Sequence, residues 1–238
     1  MSPAQASPAD AAGRVRSVNA GRPEPDPARR GRPTGIHKHP VDGPVALRDP
    51  GPRGGGPGSG VPADFIGDAR HHGGRDQAVY AFAREELDHW ARELGRELPD
   101  GSFGENLTLE GFAVDDARLG DRWRVGTALL QVTDARIPCG TFRAAMQVRG
   151  WLRRFTERGC TGAYLRVLEP GTVRAGDRVE LVHRAGHRVG VRDAFRAQTT
   201  DRGRLPALLA AGPDLRPELR AAAERAVAEQ PPASGRDG

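Results

Sequence analysis

The chain has 238 residues and a formal net charge of +5, a length that fits one large domain with a small appendage. Acidic and basic residues are interspersed without long blocks of like charge, so the positive excess is only weak evidence for a nucleic-acid partner. Lys38 is the only lysine among the 36 basic residues, which suggests that its point charge and flexible stem are needed where it stands.

The two cysteines, Cys139 and Cys160, could form one disulfide, but a protein of this size does not need one. A reducing compartment is therefore the better interpretation. The first twelve residues hold no apolar core of signal-peptide length, and no stretch approaches the run of about twenty apolar residues that a membrane helix requires. We expect a soluble cytoplasmic protein.

The N-terminal third predicts short strands joined by loops. Residues 1–12, rich in Ala, Ser and Pro, predict a disordered leader. Alternating apolar residues from Gly13 predict a first strand, and residues 34–41 and 43–47 predict two more. The glycine- and proline-rich stretch 50–62 predicts a loop that either covers a site flexibly or is a plain surface excursion.

The middle of the chain predicts one amphipathic helix followed by more strands. Apolar residues recur at helical spacing from Val79 to Leu94, with Asp76 as the predicted cap and Gly95 as the end. Residues 141–158 predict a helical excursion, and the alanine- and leucine-rich tail predicts two helices separated by Gly212 and Pro213. Further strands are predicted at 102–109, 119–125, 128–133, 162–168, 175–181 and 189–192. Many short strands with few helices indicate a barrel-like β domain.

Cys139 is the strongest candidate for chemistry. It follows a predicted strand, and Pro138 and Gly140 on either side predict a rigid turn that presents the thiol. Arg136 is close enough in sequence to favour the thiolate, which attacks electrophiles and binds metals. The alternative is a small, inert, buried cysteine.

Two glycine-containing turns are further candidates. The glycines of His72-Gly73-Gly74 allow close backbone approach, so the histidine could face a ligand. Glu105 and Asn106 offer an acceptor and an amide at the start of a strand, or they satisfy only their own turn. A zinc site is disfavoured because no matching Cys/His spacing lies nearby.

In their order and spacing, five segments resemble the MOSC domain family, related to the C-terminal domain of molybdenum-cofactor sulfurase, and within it the YiiM-like bacterial subgroup. They are Thr34–Val41, His72–Gly74, Phe103–Thr108, Gly120–Asp121 and Arg136–Cys139. The resemblance covers about Gly13 to Arg192, and the tail resembles a three-helix extension. It implies a mainly β (α+β) protein, a distorted β-barrel with a few helices. The implied parts are a disordered leader 1–12, a barrel 13–196, a helical extension 197–230 and a frayed tail 231–238.

The resemblance also implies a cofactor and an activity. Cys139 would be a thiolate ligand to molybdenum, a role that suits a soft donor. The molybdenum cofactor (molybdopterin) would also contact Lys38, His72, Gly73, Gly74, Glu105, Asn106 and Arg136. The implied enzyme reduces N-hydroxylated compounds, such as hydroxylaminopurines, with electrons from a separate flavin or iron-sulfur reductase.

Two departures from the family pattern concern the pocket. Val61–Asp64 stands where a Gly-Asp pair is usual, and Gly-Thr-Phe follows Cys139 instead of a lysine-containing sequence.

Two other functions stay open. Cys139 could carry a persulfide in a sulfur-carrier protein. A lowered thiol pKa would suit this role as well as it suits metal binding. A basic nucleic-acid-binding module would show salt-dependent binding.

Overall fold

The computed structural model describes residues 12–229. The predicted frayed tail and all of the predicted leader except Ala12 lie outside the described residues. The twelve strands of the described chain are β1 (Ala12–Gly21), β2 (Glu24–Pro25), β3 (Pro33–Thr34), β4 (Lys38–Pro40), β5 (Val45–Leu47), β6 (Val79–Ala83), β7 (Leu107–Glu110), β8 (Arg122–Val125), β9 (Ala128–Ala135), β10 (Ala163–Glu169), β11 (Gly171–Val173) and β12 (Arg178–His183).

Five α-helices and three 3-10 segments complete the described chain. The helices are α1 (Arg84–Leu94), α2 (Gly140–Met146), α3 (Trp151–Arg158), α4 (Val191–Gln198) and α5 (Pro217–Ala228). The 3-10 segments are Arg75–Gln77, Val114–Asp116 and Arg202–Asp214.

Seven strands close into a barrel in the order β12-β8-β9-β10-β6-β7-β1, because β12 pairs back onto β1. Neighbouring strands are antiparallel except for the parallel pair β6 and β7. The second half of β1 also pairs with β4, which places Lys38 beside the barrel. Apolar side chains of these strands, such as Val15, Leu107 and Leu130, are fully buried in the main core. The predicted mainly β barrel is confirmed.

A second, aromatic core lies on one side of the barrel. The ring of Phe103 lies 5.1 to 5.8 Å, between centroids, from the rings of Phe82, Phe142, Trp151 and Phe155. Tilted and edge-to-face contacts of this kind add stability beyond the area that they bury. The cluster joins β6 to α2 and α3, so it holds in place the segment that follows β9.

The helix predicted from Asp76 onward is wrong in its first half. Residues Val79–Ala83 form β6 and are all buried, and α1 begins only at Arg84. Asp76 caps no helix there; its carboxylate pairs with Arg166 at 2.7 Å. A short apolar run in a fully buried strand cannot be told from a buried helix by periodicity. The helix end at Gly95 is confirmed, because Gly95 has the left-handed conformation of a C-cap.

Two predicted strands also differ from the structure. Residues 189–192 do not form a strand: Gly190 is the N-cap of α4, and its N–H donates to the Asp193 carboxylate. The predicted strand 34–41 is divided into β3 and β4. Gly35, directly after β3, lies so close to the Phe65 carbonyl that a side chain would not fit.

The C-terminal helices pack against the barrel. Leu205, Leu208, Leu215 and Leu219 are buried and belong to the main core. The predicted interruption is present, because Gly212 has a non-helical conformation. Among residues 12–229, no helix has both the length and the hydropathy needed to cross a membrane.

Candidate active site

A cleft opens beside the turn that joins β9 to α2. It encloses about 840 Å³ of empty space, including its open mouth. Six of the eight predicted site residues line it: Lys38, His72, Gly73, Asn106, Arg136 and Cys139. Gly74 and Glu105 do not. The barrel therefore brings together residues from four separate segments of the chain.

Cys139 contributes the thiol of the cleft. It lies just past the end of β9 as the N-cap of α2, and its side chain is half-buried. Burial raises the pKa of the thiol, but three other effects outweigh burial and bring the pKa to about 6. These are the nearby His72 ring, the positive charge of Arg136 and the nearby Phe142 N–H. Cys139 is therefore largely a thiolate at neutral pH.

Arg136 supplies a buried positive charge next to this thiolate. Only 4% of its surface is exposed, and its guanidinium carbon lies 3.8 Å from the centre of the Phe142 ring. Its Nη1 is buried without a hydrogen-bond partner in the described protein. A buried donor left unpaired is unfavourable, so this N–H is suited to an anionic ligand in the cleft.

Asp64 organises the inner wall of the cleft, although no sequence motif singled it out as a site residue. Its Oδ1 accepts hydrogen bonds from Lys38 Nζ and, at 2.8 Å, from the Gly21 N–H. Its Oδ2 accepts from Ser59 Oγ and Asn106 Nδ2, each at 2.9 Å. Burial lowers the pKa of Lys38, and Asp64 opposes that effect. Much of the charge of the lone lysine is therefore balanced within the protein.

Glu105 lies inside its loop rather than at the cleft. Its carboxylate is fully buried and accepts hydrogen bonds from the Gly101 N–H at 2.6 Å, the Phe103 N–H at 2.9 Å and Thr108 Oγ1 at 2.9 Å. Burial raises the pKa of Glu105 despite these donors. Both oxygens shape the loop, and the contact of Glu105 with a cofactor stays a prediction.

The paired glycines allow a close approach between two backbone segments. A Cβ on Gly73 would lie 2.5 Å from the Gly58 carbonyl oxygen, and a Cβ on Gly74 would lie 2.7 Å from Cα of Arg53. Both glycines have positive φ. The loop 50–62 is thus packed on the histidine turn, and the Gly74 N–H donates to the Gly58 carbonyl at 2.8 Å. Gly74 faces that loop, which explains why it does not line the cleft.

The cleft offers one soft donor for a metal and one unpaired cation for an anion. Among residues 12–229, no group of three or more His, Cys, Asp or Glu side chains could hold a metal ion. Cys139 offers one soft thiolate donor, and Arg136 offers an unpaired N–H for an anionic part of the cofactor. These two groups would suit the molybdenum-bearing pterin that the family resemblance implies.

Comparisons with known proteins agree with this fold. The model of the MOSC domain matches residues 68–180. The uncharacterized protein YflK of Bacillus subtilis is 33% identical over 195 residues, covering 82% of this chain and 84% of that protein. The crystal structure of YiiM from Geobacillus stearothermophilus has a TM-score of 0.71 at 28% identity, covering 90% of this chain and 99% of that one.

A further relative is a protein of Gibberella moniliformis named "Reductase". It is 30% identical over 118 residues, which cover 48% of this chain but 21% of that protein. The match to YflK extends over most of both chains, and the MOSC model spans the segment that carries His72 and Cys139. The chain therefore belongs to the MOSC domain family.

Proposed function

We propose that the protein binds the molybdenum cofactor through Cys139 and reduces N-hydroxylated compounds to amines in the cytoplasm. The observation that carries the proposal is the pairing, in one cleft, of a thiol whose pKa is about 6 with the unpaired Nη1 of Arg136. Membership of the MOSC family and the relative named as a reductase support it.

Each cleft residue has a role in this proposal. When bound, the cofactor supplies the two-electron redox chemistry, which no protein side chain here provides. Cys139 would hold the metal, His72 would keep the sulfur deprotonated, and Arg136 would bind an anionic group of the cofactor. Burial raises the pKa of Tyr164 to about 12, so this cleft hydroxyl stays protonated and can donate a hydrogen bond to the substrate.

The overall reaction balances with two electrons and two protons supplied from outside the protein. A hydroxylamine, R–NHOH, takes up two electrons and two protons and gives R–NH₂ and water. The electrons would come from a separate flavin or iron-sulfur reductase. The protons would enter from solvent through the open cleft, which Tyr164 and His72 line.

The test compares two cysteine variants made in cells that synthesise the molybdenum cofactor. We expect the wild type and Cys160→Ser to contain molybdenum and pterin and to reduce hydroxylaminopurine with an artificial electron donor. Cys160 is buried outside the cleft, so it is the matched control. Cys139→Ser should lose both properties. Full molybdenum content and full reduction in Cys139→Ser would contradict the proposal.

A sulfur carrier is the second candidate, because a thiol with a pKa near 6 is equally suited to hold a persulfide. Mass spectrometry of the intact protein separates the two functions. One extra sulfur on Cys139 without a pterin supports the carrier. A pterin and molybdenum without the extra sulfur support the reductase.

A further inference from the structure

A positively charged groove continues the cleft outward. It is lined by Arg29, Arg32, Asp68, Arg70 and His71. Arg29 and Asp68 also line the cleft that contains Cys139, so the two spaces share a wall. Three arginines face one carboxylate there, which leaves the groove with an excess of positive charge.

Asp68, the one carboxylate that lines the groove, links Arg29 and His71. Asp68 accepts a hydrogen bond from Arg29 Nη1 at 2.5 Å and contacts His71 Nδ1 at 3.1 Å. Partial burial raises the pKa of Asp68, but Arg29 and His71 outweigh it and bring the pKa to about 2. The carboxylate therefore stays charged and is already paired with two groups. Arg32 and Arg70 are exposed and form no salt bridge with the part of the chain that the structure describes.

The groove is tied to the turn that carries the reactive thiol. Thr141, two residues after Cys139, donates a hydrogen bond from Oγ1 to Asp26 Oδ2 at 2.9 Å. Asp26 lies three residues before Arg29, and both Asp26 and Thr141 line the cleft. A ligand with its reacting group at Cys139 could therefore extend along this wall to the arginines.

We propose that the groove binds a phosphate group of the substrate, so that the enzyme acts on N-hydroxylated nucleotides in preference to free bases or nucleosides. This inference rests on the proposed function. Arginine side chains bind phosphate oxygens through paired N–H groups, and Arg32 and Arg70 have such groups free. The inner cation, Arg136, is separate from the groove and is available for the cofactor.

The experiment uses the cofactor-loaded protein and two probes, N6-hydroxyadenosine and its 5′-monophosphate. Equilibrium binding and KM are measured for both probes at low and moderate salt. For the wild type we expect the monophosphate to bind about 10-fold more tightly, with a preference that shrinks as salt rises. The double variant Arg32→Gln/Arg70→Gln should lose this preference. The double variant Arg30→Gln/Arg149→Gln removes two exposed arginines outside the groove and should keep it.

Each other outcome is decisive. An undiminished preference for the monophosphate in Arg32→Gln/Arg70→Gln overturns the inference. Loss of molybdenum and pterin from that variant also overturns it, because the groove would then hold the phosphate of the cofactor. If the wild type reduces neither probe but binds the monophosphate in a groove-dependent way, the phosphate site is supported and the proposed reaction fails.

Discussion

Arg216 of the C-terminal extension forms a buried ion pair with Asp134 of β9. Arg216 Nε lies 2.6 Å from Asp134 Oδ2, and the two side chains are 11% and 1% exposed. Gln198 Nε2 donates to the other carboxylate oxygen at 2.7 Å. Asp134 precedes Arg136 by two residues, so the helical extension is bonded to the strand that leads into the cleft. We infer that the extension stabilises the position of the site.

Replacement of Arg216 by methionine should lower the free energy of unfolding by about 3 to 5 kcal/mol, because it leaves a buried carboxylate without its partner. Burial already raises the pKa of Asp134, with Arg216 opposing the effect. The variant should therefore regain stability as pH falls and the carboxylate is protonated. Urea unfolding at several pH values measures both effects.

Arg225→Met on the exposed side of α5 is the control for this prediction, and it should change the stability little. The double variant Asp134→Leu/Arg216→Met should be more stable than Arg216→Met alone, because no buried charge remains. Equal losses from Arg216→Met and Arg225→Met would contradict the assigned role.

The reactivity of Cys139 should follow its lowered pKa. In a Cys160→Ser background, the rate of alkylation by iodoacetamide should rise with pH and reach half its maximum near pH 6. His72→Gln should move that midpoint upward, since the nearby His72 ring helps to lower the pKa. His71→Gln is the control, because His71 contacts Asp68 instead of the sulfur. A midpoint that is the same in all three proteins would contradict the role of His72.

Local sequence features predicted the position of Cys139 but not its whole environment. A run of apolar and β-branched residues followed by Arg136-Ile-Pro-Cys139 was enough to predict a thiol just past a strand, as found in β9 and α2. The pKa of the thiol depends also on His72, which is distant in sequence. Only the family resemblance linked the two residues before the structure did.

The contacts of Asp64 and the strand Val79–Ala83 could not be predicted from local sequence patterns. The partners of Asp64 lie in four separate segments, so no spacing near Asp64 indicates their meeting. The apolar residues of β6 are buried on both faces of the sheet, which removes the alternation that identifies a strand. Glu105 is a third such case, since a carboxylate in a turn can bind either a ligand or its own loop.

Asp64→Asn should lower the free energy of unfolding by about 3 to 5 kcal/mol, because Lys38 would be left as a buried charge without its partner. Asp68→Asn, four residues later, is the matched control. Its partners Arg29 and His71 are half or more exposed, so its loss should cost about 0 to 1 kcal/mol. Urea unfolding of both variants at neutral pH provides the comparison. Similar losses in the two variants would show that Asp64 does not organise the wall of the cleft.

Asp115 should make the protein less stable as pH rises from about 4 to about 6. Burial raises the pKa of this carboxyl to about 6, although the Gly162 N–H and Arg192 oppose it. Between the ordinary pKa of 3.8 and this raised value, the native state holds a proton that the unfolded chain has lost. The stabilisation is complete below the ordinary pKa of 3.8 and is lost as pH rises through the raised pKa of about 6. A shift of about two units corresponds to about 3 kcal/mol.

The pH dependence of the stability of Asp115→Asn tests whether Asp115 makes the protein less stable as pH rises. Its free energy of unfolding, from urea titrations between about pH 4 and about pH 7, should fall less with rising pH than that of the wild type. Asp116→Asn changes the neighbouring carboxylate, whose side chain is 70% exposed, and should keep the wild-type slope. Parallel curves for the wild type and Asp115→Asn would mean that this carboxyl is already charged in the native protein. Burial also raises the pKa of Asp134 and of Glu105, but both carboxyls are present in the wild type and in the variant. The difference between the two curves therefore reports the contribution of Asp115 alone.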